Sequence, residues 1–468
     1  LKNFFCCTGI IPGFSQSGGL GLLSAQWIID GEPEYDMFSW DLSRFGDWTN
    51  EKFIKERVKD QYQNRFKIHF PNEERLAGRP VKTRPIYKKQ KQMGAVFGLN
   101  SGWEHPLWFS SEINTQETVG FKRQNWFESV NQEVKMLRNY VGIIDISNFA
   151  NYFVSGEGAH NWLESVFANY IPKSVGKSCL TPLIGVKGGI AGDFVVTKLD
   201  QERFMIIGSG IAEGYHQRFF SKVEIPKNTK FENLSEKMTG FNIAGPKSRD
   251  LLQSICSLDF SNKTWPFMNS RIININNIEC VALRVSFTGD LGWELHCKQD
   301  HQLSLYNLLL NAGKQFNGGA VGSRALSSLR IEKGYGSWGR EYSPEYWPQE
   351  AGLDKLIKLN KDFLNKDAYL KISNLAPKFK LNMFEIEIQE DADANGGEPI
   401  FTTNNKPIGH VTSGAYGGYV EKSLAIGYIR NGAIKTGEKV IIYILGKPHK
   451  AKILSLPAFD PEGIRLYC

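Results

Sequence analysis

No Cys-x-x-Cys pair, no strand-to-helix Gly-x-Gly-x-x-Gly turn and no two histidines four residues apart occur in this chain of 468 residues. The first absence leaves out the usual zinc and thioredoxin-type spacings, and an odd total of seven cysteines argues against a fully paired secreted disulfide framework. The second leaves no phosphate cradle for a dinucleotide: the one Gly-x-Gly-x-x-Gly match, at 334–339, follows a helical stretch instead of opening a helix after a strand, and the glycine clusters at 18–21 and 188–192 follow other patterns. Eight histidines scattered singly argue against a zinc site, so no metal is expected. No apolar run is long enough to span a bilayer, and basic stretches such as 88–92 (KKQKQ) are short and carry no nucleic-acid motif. A net charge of +7 is mild: a basic surface attracts polyanions, but a solvated lysine face is the plainer reading of any one cluster.

What is present is ordinary for an intracellular globular enzyme. Hydrophobic residues make up 41% and charged residues 22%, and the length suits about three domains. Adjacent Cys6 and Cys7 read as part of a buried strand. The richest stretch is 185–199 (GVKGGIAGDFVVTKL), where Gly188, Gly189 and Gly192 permit unusual backbone angles. Asp193 then stands at the mouth of a strand that packs Phe194, Val195, Val196 and Leu199 beneath it. Two readings stand: an aspartate that opens a hairpin strand and satisfies local amides, or a carboxylate beside an open turn that orients or deprotonates a nitrogen.

Three further segments bear on that choice. Residues 286–297 (SFTGDLGWELHC) give a turn at Thr288-Gly289-Asp290 and a strand carrying Trp293 and Glu294. Residues 322–366 begin with an amphipathic helix carrying Arg324, Arg330 and Glu332, followed by Pro-Gln-Glu-Ala-Gly-Leu at 348–353. Residues 407–429 contain Val-Thr-Ser-Gly among β-forming residues. In this order the segments resemble the folate-binding aminomethyltransferase family, the T-protein of glycine cleavage and its fused relatives, over roughly residues 130–460. At the front, residues 6–45 resemble the closing strand and last helix of an FAD-dependent amine oxidoreductase, with Ser17-Gly18-Gly19 preceding the helix and offering it free amides. Residues 52–109 resemble the connecting domain of dimethylglycine and sarcosine dehydrogenases, with His105 where that group has arginine.

The resemblance implies an α+β fold: a T-protein-like, multidomain folate-binding arrangement with a C-terminal β-barrel, preceded by the tail of an FAD oxidoreductase domain. The expected divisions are 1–48 (oxidoreductase tail), 49–109 (central domain), 110–375 (folate-binding domain, opened by a polar linker at 110–122) and 376–468 (barrel). With Leu1 in first place and no ADP-binding turn, the chain is expected to be an N-terminally truncated member. The implied activity is oxidative demethylation of an N-methylated glycine coupled to tetrahydrofolate, this chain carrying the one-carbon transfer half. The alternatives are a stand-alone aminomethyl or methyl transferase and a non-catalytic folate-binding regulator.

The implied cofactors are tetrahydrofolate and, for the longer protein, FAD. The implied partners are folate and a small N-methyl amine, with neither nucleic acid nor membrane. The implied compartment is the bacterial cytoplasm or the mitochondrial matrix. Asp193 would orient the folate nitrogens and relay a proton. Glu294 would accept from the donor edge of the pterin, and Arg324 would steady folate by charge-assisted hydrogen bonds. Phe287, where the family often has tyrosine, would keep the ring for stacking and lose the hydroxyl. Tyr416 would cap the site from the barrel or simply pack there. Arg330 and Glu332 are expected to pair with each other.

Overall fold

A computed structural model describes residues 4–10, 13–388, 390–435 and 437–468. Leu1 and Gln389, the first residue of the acidic 389–398 segment, lie outside these. Among the described residues the strands form two open sheets, one closed barrel and a separate hairpin.

The first sheet runs, in spatial order, Ser178–Ile184, Ile190–Lys198, Arg203–Gly208, Ala150–Ser155 and Lys230–Asn233. Alternation along its strands sorts the side chains by face. Phe194 and Val196 join Trp162, Leu163 and Phe220 of the covering helices Ala159–Val166 and Glu213–Phe220. Val195 points the other way and packs with Met205, Ile207, Val281, Leu283 and Val285. The second sheet runs Ser270–Ile275, Ile278–Leu283, Gly292–Lys298, Met238–Ala244, Gly142–Asp145 and Gly319–Val321, with only its last pair parallel. Its Phe241, Ile243, Trp293 and Leu295 pack on the helices Ser248–Ile255 and Gln302–Lys314. Its other face contributes Val281 and Leu283 to the cluster shared with the first sheet, so the two sheets face each other across that cluster.

The helix Phe127–Asn139 and the helix Ser323–Glu332 lie over the neighbouring part of the same inner face, where Val134, Leu137, Ala325 and Leu329 meet Ile144 and Ala244. The barrel follows the order Phe379–Ile386, Lys422–Arg430, Pro407–Gly417, Pro399–Thr402, Lys439–Ile444 and Lys447–Leu454. Its valine- and isoleucine-rich inner faces close on themselves, which leaves no unpaired edge. The fold is therefore the α+β arrangement with a C-terminal barrel that the sequence suggests.

The front of the chain departs from expectation in two places. The helix spans Gly13–Asp30, so Ser17, Gly18 and Gly19 lie inside it and offer no free amides. Glycine can sit within a helix at modest cost, and the apolar run beyond it extends the helix in both directions. None of its residues is buried. Cys6 and Cys7 are exposed and lie in no strand, because nothing described packs over them. The 110–122 segment is irregular as a linker should be, yet it is tied down: Glu117 accepts from the Trp108 indole at 2.8 Å.

Candidate functional site

Asp193 lies in the fourth position of its strand rather than at the strand's mouth, because pairing already begins at Ile190. The glycine turn before it is not an opening. A Cβ on Gly189 would stand 2.1 Å from the Pro344 carbonyl oxygen, and one on Gly188 would stand 2.8 Å from that of Ala368. The glycines therefore let two other backbone segments pass against the turn, and Ile190 donates to Tyr346 across it at 3.1 Å. Ala191 is held as well, its carbonyl accepting from the Trp338 indole at 2.9 Å and facing His216 Nε2 at 3.1 Å. The strand is thus pinned on both sides just ahead of Asp193.

Asp193 shares a face with Val195 and so points into the space between the sheets. Burial pushes its carboxyl up to about 6, with only its own backbone amide opposing the shift. Burial, and then the Asp193 carboxylate, also push the Tyr342 hydroxyl upward, so it stays protonated beside the aspartate. Tyr342 was not singled out from sequence; its place in the 341–347 stretch after the helix was the available signal.

Glu294 faces the same space from the other sheet. It is paired in register with Leu283 on one side and Asn242 on the other, and directly opposed residues share a face. Its carboxylate lies 3.2 Å from His296 Nε2. Asp193, Glu294 and Asn242 therefore project from facing sheets toward one another's side of the molecule. Phe287 is half-buried in the turn leading to the Glu294 strand.

That turn is fixed by a buried ion network. Arg138 donates to Asp290 Oδ2 at 3.1 Å, to the Thr288 carbonyl at 2.8 Å and to Glu332 Oε2 at 2.9 Å. Arg465 donates to Asp290 Oδ1 at 3.0 Å from the other side. The expected Arg330–Glu332 pair does not form. Glu332 takes Arg138, while Arg330 donates to Glu341 Oε2 at 2.8 Å and to Ser413 Oγ at 2.6 Å. Two residues apart on a helix, the side chains point in different directions, and each finds its partner on another element. Thr412 Oγ1 donates to Glu341 Oε1 at 2.7 Å, so Val-Thr-Ser-Gly docks the barrel onto the helix. Glu350 of the 348–353 segment accepts from the Lys378 and Phe379 amides at 2.8 and 2.9 Å and holds the first barrel strand.

Arg324 and Tyr416 come together elsewhere. They line a cavity of about 260 Å³ together with Trp126, Asn72 and Asn395. Arg324 is ion-paired with Glu117 and lies 4.9 Å from the Trp126 ring centre, and the Tyr416 ring packs 5.2 Å from Phe127. No hydrogen bond among the described residues joins either of them to Asp193, Phe287 or Glu294. His105 is neutral and has no ion pair among the described residues: burial, then the nearby Arg79, lower it to about 4. Arg79 pairs with Glu104 and Glu74 instead. Among the described residues no cluster of potential metal ligands occurs, and no helix is long and apolar enough to cross a membrane.

Comparison with known proteins agrees with this architecture. Residues 86–361 match the GCVT N-terminal domain, residues 30–83 the FAD dependent oxidoreductase central domain, and residues 380–460 the glycine cleavage T-protein C-terminal barrel domain. The mitochondrial dimethylglycine dehydrogenase of Mus musculus is 32% identical over 99% of this chain and 54% of its own length. The mitochondrial sarcosine dehydrogenase of the same organism is 27% identical over 100% of this chain and 56% of its own. An aminomethyltransferase of a Thermoanaerobacter species is 29% identical over 80% of this chain and 96% of its own. Among solved structures, the glycine cleavage system aminomethyltransferase T from Bartonella henselae superposes with a TM-score of 0.70 at 23% identity, covering 81% of this chain and 98% of that one. The chain spans about half the length of the two dehydrogenases it matches.

Proposed function

From the premise that the chain belongs to the GCVT N-terminal domain family, joined to an FAD oxidoreductase central domain, we propose that it carries the one-carbon transfer half of a tetrahydrofolate-dependent oxidative demethylase. The substrate is an N-methylated glycine of dimethylglycine or sarcosine type. The observation that carries the reading is the pair of carboxylates, Asp193 and Glu294, projecting from facing sheets into one interior space beside the unpartnered amide of Asn242. The residues at 30–83 favour this reading over a stand-alone transferase, which has no need of an oxidoreductase segment.

The residues fit a folate. Glu294 offers acceptors for the amino and ring N–H groups of a pterin, and Asn242 is a buried amide without a partner. Tetrahydrofolate would supply the nucleophilic nitrogens that take up the one-carbon unit. Asp193, raised to about 6, takes a proton near neutral pH without holding it tightly, as a general base should. The apolar wall of Val195, Ile207, Val281 and Leu283 excludes water that would otherwise hydrolyse an electrophilic one-carbon unit. Arg324 and Tyr416, in their own cavity, would meet the anionic tail of folate once Arg324 exchanges Glu117 for a carboxylate of the ligand. FAD belongs to the longer relatives' half of the reaction. The compartment is the bacterial cytoplasm or the mitochondrial matrix.

The test is direct titration of the folded chain with tetrahydrofolate by calorimetry, for the unsubstituted protein and for Glu294→Ala. Loss of a charged acceptor costs about 1.5–3 kcal/mol of binding. Absence of binding by the folded, unsubstituted chain, or equal affinity in the two proteins, refutes the reading.

A further inference from the structure

Asn242 lies in the Met238–Ala244 strand, every residue of which is buried. Its own exposure is 3%, and neither its Oδ1 nor its Nδ2 has a hydrogen-bond partner among the described residues. An amide buried without partners carries a desolvation penalty that native structures avoid unless something else meets it. Its surroundings say what that is. Asn242 is flanked in register by Glu294 and Ile144, on the face that looks into the inter-sheet space. The next residue pair along the same face is Gly240 opposite His296, whose Nδ1 is also without a partner. Between the Ile144–Ala244 packing and the Val281–Leu283 packing, the face is therefore polar only at Asn242, Glu294 and His296.

A carboxylate only accepts hydrogen bonds, whereas an amide both donates and accepts. Side by side they match a ring edge that presents N–H donors next to a carbonyl, the pattern of an amino-oxo pterin. We infer that Asn242 is a ligand-reading residue: its amide completes the recognition of the pterin ring that Glu294 begins, and it is left unpaired by the fold for that purpose. This rests on the folate reading above and extends it to a residue outside every motif in the chain.

The test compares the unsubstituted chain with Asn242→Ala and Asn242→Ser, titrating each with tetrahydrofolate and with a tetrahydropterin lacking the aminobenzoyl-glutamate tail. Asn242→Ala should bind both probes about tenfold more weakly, since two neutral hydrogen bonds are lost. Asn242→Ser, with one hydroxyl in place of the amide, should fall between. Without ligand, the Tm of Asn242→Ala should not drop, because no protein hydrogen bond is removed. A purely structural amide gives the opposite pattern, a lowered Tm with affinity unchanged, and overturns the inference. Weaker binding of tetrahydrofolate but not of the tail-free pterin also overturns it, since the contact is then not with the ring. If the unsubstituted chain binds neither probe, the folate reading itself fails and this inference falls with it.

Discussion

Replacing Asp193 with asparagine should stabilise the folded chain at neutral pH, and the size of the gain follows from where the carboxyl sits. In the unfolded chain it releases its proton near the ordinary value of 3.8, but in the fold burial holds the proton up to about 6. Between those values the folded state binds more protons than the unfolded state, so this group's contribution to stability declines as pH rises and levels off above about 6. At about 1.4 kcal/mol per pH unit the full separation corresponds to about 3 kcal/mol. Asp193 is not fully buried in the ligand-free chain, and screening by the solvent that reaches it there reduces the figure to about 2 kcal/mol. Asparagine is neutral at every pH and of nearly the same size. The variant should therefore match the unsubstituted protein below pH 3.8 and exceed it by about 2 kcal/mol at pH 8. Urea unfolding followed by tryptophan fluorescence, run for both proteins at several pH values, measures that difference directly. A stability gap that stays constant across the range, or a variant less stable at pH 8, would refute the assignment of Asp193 as a strained, desolvated carboxylate. In a full-length enzyme the same substitution should slow methylene-tetrahydrofolate formation about 10²–10⁴-fold.

Other outcomes follow from the scaffold. Asp290→Ala leaves Arg138 and Arg465 facing each other with no carboxylate between them, and should cost about 3–5 kcal/mol in urea unfolding. Arg465→Ala should cost less, about 1 kcal/mol, because Arg465 is partly exposed and Asp290 keeps Arg138. Gly189→Ala forces a methyl group against the Pro344 carbonyl and should lower stability by about 2–3 kcal/mol, measurable as a drop in the urea midpoint.

Much of the architecture could be read from the residues. The β-forming residues at 407–429 lie in the barrel strands Pro407–Gly417 and Lys422–Arg430, and the amphipathic helix carrying Arg324, Arg330 and Glu332 is Ser323–Glu332. Periodicity is local, and these features are local. What could not be read was the pairing of charges across distance. Arg138 sits 152 residues before Asp290 and 194 before Glu332, so nothing in the helix carrying Arg330 and Glu332 reveals that each turns to a different element. The glycines at 188 and 189 were visible, but their reason was not, since it lies in the passing backbone of 344–346 and 368. Asn242 did leave a mark: it is the one amide in an otherwise apolar Phe241-Asn242-Ile243-Ala244 run, and a polar side chain there has to be answered by something. The exposed, apolar Gly13–Asp30 helix shows the reverse case, in which a buried pattern in sequence has no covering element among the described residues.

The clamp of Arg465 on Asp290 also sets an order of events in synthesis. The turn before the Glu294 strand is complete only when a residue 175 positions later arrives and donates to it. The two sheets can collapse around their apolar faces as they leave the ribosome, but the Asp290 carboxylate then waits with half of its ion network while the whole barrel is made. At about 5–20 residues per second that interval is on the order of ten seconds or more. During it the pre-formed site is softer than in the finished protein. A stalled or prematurely ended chain would keep its sheets and lose the rigidity of the turn that carries Phe287.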